Sequence, residues 1–79
     1  MSKLPSLSSR QIIKALTRAG FMEAPEKGKG SHRAFYRVNE TGQINLVIVP
    51  LGKDIPRGTL MAIIQQSGLS RDEFIKLLY

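Results

Sequence analysis

One helix-opening pattern occurs near both ends of the chain, and it fixes where two helices begin. At residues 7–12 and again at residues 69–74, a leucine precedes a serine, a glutamine or glutamate follows three positions later, and a large apolar residue comes next. The serine and the residue three positions on can form a capping box, while the two apolar residues form a hydrophobic staple around it. The pattern therefore predicts a first helix over about residues 9–19, stopped by Gly20, and a short last helix over about residues 71–78.

The segment between these two helices is predicted to contain three strands. Residues 43–49 are mostly apolar and β-branched and form the clearest strand, while residues 31–38 form another. A turn at residues 39–42 joins these two as an antiparallel hairpin. Residues 21–24 can form a short strand, and a flexible basic turn over residues 26–30 follows it.

A further helix is predicted between the strands and the last helix. Pro56 is the expected first residue, because the N–H of the first helical position has no partner within the helix and proline lacks that N–H. Leu60, Ile63 and Ile64 share one face, and Gly68 is the stop. The order α-β-β-β-α with a short terminal helix predicts an α+β domain of two layers, with the helices on one face of a three-stranded antiparallel sheet. The other face must be wet or covered by a partner. Both faces of strand 31–38 mix polar with aromatic residues, so the pattern does not say which one is buried.

Length and charge narrow the class of protein. A chain of 79 residues is expected to be one domain over residues 1–79, with residues 1–6 as a loose lead-in. Twelve lysines and arginines against six acidic residues give a net charge of +6, so nucleic acid is the first partner to consider. The absence of cysteine excludes disulfides and thiolate metal sites. With no apolar run long enough for a signal peptide or a membrane span, the cytoplasm is the expected location.

Residues 27–37 carry the chemistry that the sequence can support. They contain the only histidine, His32, and no acidic residue. The cations around it are Lys27, Lys29, Arg33 and Arg37. An imidazole can accept and donate protons near neutral pH. It could deprotonate a ribose 2′-hydroxyl, which then attacks the adjacent phosphorus while the cations stabilise charge on the phosphoryl oxygens. Such a route needs RNA and no metal or cofactor.

Simpler interpretations stay open at this point. A lone histidine on a basic strand is more often a surface residue or a phosphate contact than a catalyst. The chain could be a non-catalytic RNA-binding module, or a subunit whose basic face docks an acidic protein. Phe35 and Tyr36 could stack on unpaired bases, although at least one of them is expected in the core. Gly28 and Gly30 lack the spacing of a phosphate-binding fingerprint, and the carboxylates are too scattered to predict a metal site.

An ordered set of short motifs resembles the HicA family of toxins from bacterial toxin–antitoxin pairs. The residues that carry the resemblance are Gly20-Phe21, Lys29-Gly30-Ser31-His32, Val49-Pro50, Ile55-Pro56-Arg57-Gly58-Thr59-Leu60, Gly68-Leu69-Ser70 and Phe74. The resemblance covers about Leu7 to Leu78. It implies a fold like the double-stranded-RNA-binding domain and a ribosome-independent endoribonuclease that cuts mRNA. It also implies a HicB-type antitoxin that covers the active histidine, so the chain is expected as a monomer alone or in a hetero-oligomer with that antitoxin.

The resemblance assigns roles to individual residues. The catalytic histidine of the family falls on His32, and the glycine and serine ahead of it fall on Gly30 and Ser31. Together with the cations around His32 named above, Gly30 and Ser31 complete the expected RNA contacts: Lys27, Lys29, Gly30, Ser31, Arg33 and Arg37. Leu51 stands where many members carry a second histidine, so no assisting histidine is expected there. The segment between Phe21 and Gly30 is slightly longer than usual, so the first strand is expected to be short or bent.

Overall fold

The computed structural model of the protein describes residues 6–79 and shows three helices around a small sheet. Most of the expected lead-in at residues 1–6 lies outside the described residues. In chain order the elements are α1 (Ser9–Arg18), β1 (Met22–Glu23), a 3₁₀ turn (Pro25–Lys27), β2 (His32–Val38), β3 (Ile44–Pro50), α2 (Arg57–Ser67) and α3 (Arg71–Leu77). The strands form one antiparallel sheet in the order β1-β2-β3. The predicted α+β layout, like that of a double-stranded-RNA-binding domain, is confirmed.

Both predicted helix-opening patterns are present. At α1 the Gln11 N–H donates to the Ser8 hydroxyl at 3.3 Å, and the Gln11 side chain accepts from the Ser8 N–H at 3.0 Å. At α3 the same exchange joins Ser70 and Glu73 at 3.1 and 2.9 Å. Each box satisfies N–H groups that the first helical turn leaves without a partner. Gly20 follows α1 with a φ of +94°, which glycine adopts without steric cost.

Helix α2 begins and ends by other means. Pro56 is the cap before the helix rather than its first residue, and no side chain caps this end. At the other end the buried Ser67 hydroxyl donates to the Ile64 carbonyl at 2.6 Å and accepts from the Leu69 N–H at 3.1 Å. Gly68 then turns the chain with a φ of +78°, as predicted. The Ser67 hydroxyl therefore fixes the tight turn between α2 and α3.

The core lies between the helices and one face of the sheet. Phe35 on β2 and Val47 and Val49 on β3 project into it and are at most 2% exposed. The helical side chains that they join include Ile12, Leu16, Leu60, Ile63 and Phe74, all at most 2% exposed. Because strand side chains alternate, the burial of Phe35 settles which face of β2 is internal. Within residues 6–79, no helix is long and apolar enough to cross a membrane.

Two local expectations were wrong in detail. Part of the expected flexible turn is a 3₁₀ turn, Pro25–Lys27, which starts at a proline whose fixed φ suits a first helical position. Pro50, expected to end the strand before it, is the last residue of β3 and lies opposite His32. Proline is tolerated there because the strand end does not need its missing N–H.

Candidate functional site

The alternation of β2 separates the predicted site residues onto two sides of the sheet. His32, Ala34, Tyr36 and Val38 lie on the side away from the helices, which we call the open face. Arg33, Phe35 and Arg37 lie on the helix-facing side. His32 is exposed at the first position of β2, so its imidazole is accessible from the open face. The sheet thus places the histidine and two of its neighbouring arginines on opposite sides.

The backbone before His32 is held from two directions. Its own N–H donates to the Lys29 carbonyl at 3.0 Å, across a turn in which Gly30 has a φ of +57°. The Ser31 carbonyl accepts from the Leu51 N–H at 2.7 Å, which extends the β2–β3 pairing by one step. The Ser31 hydroxyl lies 3.4 Å from Nδ1 of the imidazole, a long contact that would still bias the ring's orientation. The histidine therefore sits on a fixed backbone rather than on a free loop.

The turn between β1 and β2 folds over the open face beside His32. The Ala24 N–H donates to the Ala34 carbonyl at 2.8 Å, and both alanines are buried. A Cβ built on Gly28 would lie 2.9 Å from the His32 carbonyl oxygen, so only glycine allows this approach. Lys27 precedes Gly28 and lines a cavity on the open face with Tyr36. Lys27 and His32 therefore share the open face.

The loop after β3 carries a cation, Lys53, that is not among the predicted site residues. The Gly52 N–H donates to the Ser9 hydroxyl at 3.1 Å, and the Ser9 N–H donates to the Gly52 carbonyl at 2.9 Å. This pair of bonds ties the loop to the start of α1. Lys53, exposed, follows directly. The hairpin pairing continues past Pro50 to Leu51, whose N–H bonds to the Ser31 carbonyl, and Lys53 lies two residues beyond it.

Arg33 is engaged on the helix-facing side. It makes a bidentate pair with Glu23, at 2.9 and 2.6 Å, and its guanidinium lies 5.6 Å from the Phe35 ring centroid. The hydrogen bonds from Arg33 lower the pKa of the Glu23 carboxyl below its ordinary value. Both side chains are partly exposed, so the pair is a modest contribution to stability.

Arg37, on the same side of the sheet, contacts the residues that follow α1. Its guanidinium stacks over Phe21 at 4.9 Å from the ring centroid and donates to the Ala19 carbonyl at 3.0 Å. Arg37 therefore closes the end of α1 against the sheet. The structure does not bring Arg33 or Arg37 together with His32, whereas Lys27, Lys29, Gly30 and Ser31 remain in the turn that leads to it.

Leu51 lies beside the turn that leads to His32. Its N–H is bonded to the Ser31 carbonyl, and its side chain is 47% exposed. An apolar side chain there can neither donate nor accept a proton, so Leu51 cannot assist His32 in proton transfer. Over residues 6–79, no three histidine, cysteine or acidic side chains lie close enough together to hold a metal ion.

A family model matches most of the chain. A model described as the HicA toxin of bacterial toxin–antitoxin pairs matches residues 9–69, from the first residue of α1 to the residue before the α3 cap. No curated protein shows significant similarity to the chain. The matched span contains the whole sheet, the turn before β2 and His32, and it is well over half of the 79 residues. The chain therefore belongs to the HicA family of bacterial toxins.

Proposed function

We propose that this toxin is an endoribonuclease that cleaves mRNA through His32, without a metal ion and independently of the ribosome. The observation that carries the proposal is the position of His32: an exposed imidazole on the open face, at the end of a fixed turn that also holds Lys27 and Lys29. Membership of a toxin family supports a function that harms the cell, and cutting mRNA is such a function. The net charge of +6 supports a polyanionic substrate.

The chemistry follows from an imidazole beside cations. His32 takes the proton of a ribose 2′-hydroxyl, and the 2′-oxygen forms a bond to the adjacent phosphorus. The bond from phosphorus to the 5′-oxygen breaks, that oxygen takes a proton from water as it leaves, and the proton held by His32 returns to the solvent. The products are a 2′,3′-cyclic phosphate and a 5′-hydroxyl end. Lysine side chains near the histidine stabilise the charge that develops on the phosphoryl oxygens.

The geometry ranks the cations that were expected to contact RNA. Lys27 and Lys29 are exposed in the turn that reaches His32, together with Gly30 and Ser31. Arg33 and Arg37 lie on the other side of the sheet with partners of their own. We therefore assign the phosphate contacts next to the cleaved bond to the lysines, with Lys53 as an addition. Contacts from Arg33 and Arg37 would require RNA that reaches around the edge of the sheet.

We also infer that a HicB-type antitoxin covers His32 by binding the open face. Four apolar side chains are exposed there, at 63%, 57%, 66% and 43%: Met22, Val38, Ile44 and Leu46. Exposed apolar side chains clustered on one face mark interaction surfaces. An antitoxin that occupied them would exclude RNA from the histidine at the same time. A co-purified complex that still cleaved RNA freely would contradict this inference.

The deciding experiment is cleavage of a long single-stranded RNA in excess EDTA by the wild type and by His32→Ala. We expect cleavage by the wild type only. Because His32 is exposed, the substitution should change the free energy of unfolding by no more than about 0.5 kcal/mol, which thermal unfolding checks. Undiminished cleavage by the variant would overturn the role of His32.

A second function has an observation in its favour. Leu51 leaves His32 without an assisting histidine, which suits a non-catalytic RNA-binding module with the same fold. That function predicts RNA binding that weakens as the salt concentration rises. It also predicts that the RNA stays intact with both the wild type and His32→Ala. Intact RNA after long incubation with folded wild type, with binding retained, would establish it.

A further inference from the structure

A cavity of about 260 Å³ lies on the open face, displaced from His32 along β2. Its lining residues are Ala24, Glu26, Lys27, Tyr36, Ile44 and Leu46, and we call it the Tyr36 cavity. His32 does not line it. Tyr36 lies four residues further along the same strand and on the same face, so the two Cα atoms are about 13 Å apart at the usual rise of a strand. Of its lining residues, Lys27 alone has a part in the chemistry assigned to His32.

We propose that the Tyr36 cavity is a nucleobase subsite, which holds one unpaired base of the RNA strand whose backbone passes His32. The nuclease part of this statement rests on the proposed function, whereas the binding part does not. The cavity would then select which bond is presented to the histidine. Tyr36 is a binding residue in this proposal and takes no part in the chemistry.

The walls of the cavity suit the face of a base. Tyr36 is half-buried, so its ring is held in place while part of it remains accessible. Ile44 and Leu46, on the neighbouring strand, are 66% and 43% exposed and supply an apolar wall. Aromatic rings accept any base by stacking, because every base has a π face. The volume is smaller than the pockets that hold drug-sized ligands and matches a single flat group.

The polar groups at the cavity favour a nucleotide over an apolar protein side chain. Lys27 can hold a phosphate next to a stacked base, and it belongs to the same basic turn that leads to His32. The Glu26 carboxylate can accept a hydrogen bond from an amino group on the base edge, as carboxylates do from cytosine N4. A base that carries an amino group is therefore favoured over uracil.

Tyrosine fluorescence tests the subsite directly, since the chain has two tyrosines and no tryptophan. In Tyr79→Phe the remaining signal comes from Tyr36, and in Tyr36→Phe it comes from Tyr79, which is 86% exposed at the end of the chain. The probe is a short single-stranded 2′-O-methyl oligonucleotide, which has no free 2′-hydroxyl and cannot be cleaved by the proposed route. After correction for absorbance, we expect saturable quenching in Tyr79→Phe and none in Tyr36→Phe. Equal quenching in both, or none in either, would overturn the subsite.

Affinity provides a second measurement that does not depend on fluorescence. Tyr36→Ala should bind the same oligonucleotide about tenfold more weakly or worse, because a stacking platform is lost. Val38→Ala is the matched control, on the same strand and face but outside the cavity, and should bind within about twofold of wild type, as expected for a near-neutral surface change. Oligo(C) should bind more tightly than oligo(U), and Glu26→Ala should remove that difference. Equal affinities of the wild type for the two would overturn the part assigned to Glu26.

The outcomes separate this proposal from the nuclease assignment. Quenching at Tyr36 without any RNA cleavage would support the base subsite and contradict the nuclease. Cleavage by wild type and Tyr36→Ala at the same sites, with no Tyr36 quenching, would overturn the subsite and leave the nuclease intact. Unchanged RNA binding by Tyr36→Ala together with loss of antitoxin binding would assign the cavity to the protein interface and overturn the proposal.

Discussion

Arg37 shows how much the surroundings of a residue depend on the strand that carries it. In the sequence it is one of four cations near a histidine, yet in the structure its guanidinium stacks on Phe21 and bonds to the Ala19 carbonyl. Lys29, another of these four cations, is exposed in the turn between β1 and β2. Two cations of similar appearance therefore have different uses, one in packing and one available for a ligand.

Replacing Arg37 by methionine should lower stability. The change keeps a long side chain but removes the cation–π contact and the bond to the end of α1, so a loss of about 1–2 kcal/mol in the free energy of unfolding is expected. Arg37 Nε is buried and has no hydrogen-bond partner within residues 6–79, so removing it recovers part of the cost. Urea denaturation measures the difference. Lys29→Met is the control and should stay within about 0.5 kcal/mol of wild type; equal stability of the two variants would contradict the structural role of Arg37.

Glu73 should make the stability of the protein depend on acid pH. Its carboxylate accepts from the Ser70 N–H, and this bond holds the pKa of Glu73 below its ordinary value of 4.5. A group with a lowered pKa in the folded state stabilises that state fully above 4.5, and the contribution disappears as the pH falls through the folded pKa. Glu73→Gln keeps the bond but cannot titrate, so its Tm should fall less steeply below that pH. Thermal unfolding across the acid range measures this, and identical slopes for both proteins would refute it.

At the scale of elements, the helix signals could be read from the sequence because they are local. Each capping box lies within four residues, and its apolar staple within six, so no distant contact is needed to recognise it. Strand β1 could be placed only approximately, since two residues, Met22 and Glu23, pair with β2 and the rest of that segment turns away. The 3₁₀ turn Pro25–Lys27 was missed because its packing against Ala34 is set by tertiary contacts.

The candidate site was only half predictable for a related reason. The basic segment around His32 is visible in the sequence, but the side on which each residue falls depends on which face of β2 is buried. Ser31, Arg33 and Phe35 mix polar and apolar character, and so do His32 and Tyr36, so periodicity gives no answer.

Gly28 packs against the strand that carries His32, and alanine there should disturb both the turn and the strand. The added Cβ would lie 2.9 Å from the His32 carbonyl oxygen and 3.2 Å from the Arg33 Cα. These are backbone atoms, which cannot move aside easily. We expect a loss of about 1–3 kcal/mol in stability from overpacking. RNA cleavage should fall by more than the loss of folded protein explains, because the backbone of His32 shifts.

Gly58→Ala is the matched control for that variant. Gly58 lies in α2 with open space around its Cβ position, so alanine should stabilise the protein by about 0.5–1 kcal/mol through helix propensity. Cleavage should stay at the wild-type level. Urea denaturation and RNA cleavage are measured on both variants. A Gly28→Ala protein as stable and active as Gly58→Ala would show that the close contact between Gly28 and the His32 backbone is unimportant.

At the scale of the whole molecule, the excess of positive charge should make RNA binding depend strongly on salt. The logarithm of the binding constant should fall linearly with the logarithm of salt concentration, by about 0.7 for each phosphate neutralised on a single strand. Lys27→Ala and Lys29→Ala should each reduce that slope by about 0.7 if each lysine neutralises one phosphate. Lys14→Ala, on the exposed side of α1, should leave it unchanged. Fluorescence anisotropy over a salt series measures the slopes, and equal effects of all three variants would contradict the ranking of cations by position.

The separation of the sheet into two sides has a consequence for how such toxins diversify. Met22, Val38 and Ile44 meet solvent on one side, while Phe35, Val47 and Val49 hold the helices on the other. On the antitoxin surface inferred above, mutations at the first group would alter what the protein recognises and leave its folding free energy nearly unchanged. A toxin lineage can therefore drift away from the inhibitor of its ancestor by single steps, each of which yields a folded protein. Neighbouring toxin–antitoxin pairs in one genome can thereby become insulated from each other while the internal architecture stays constant.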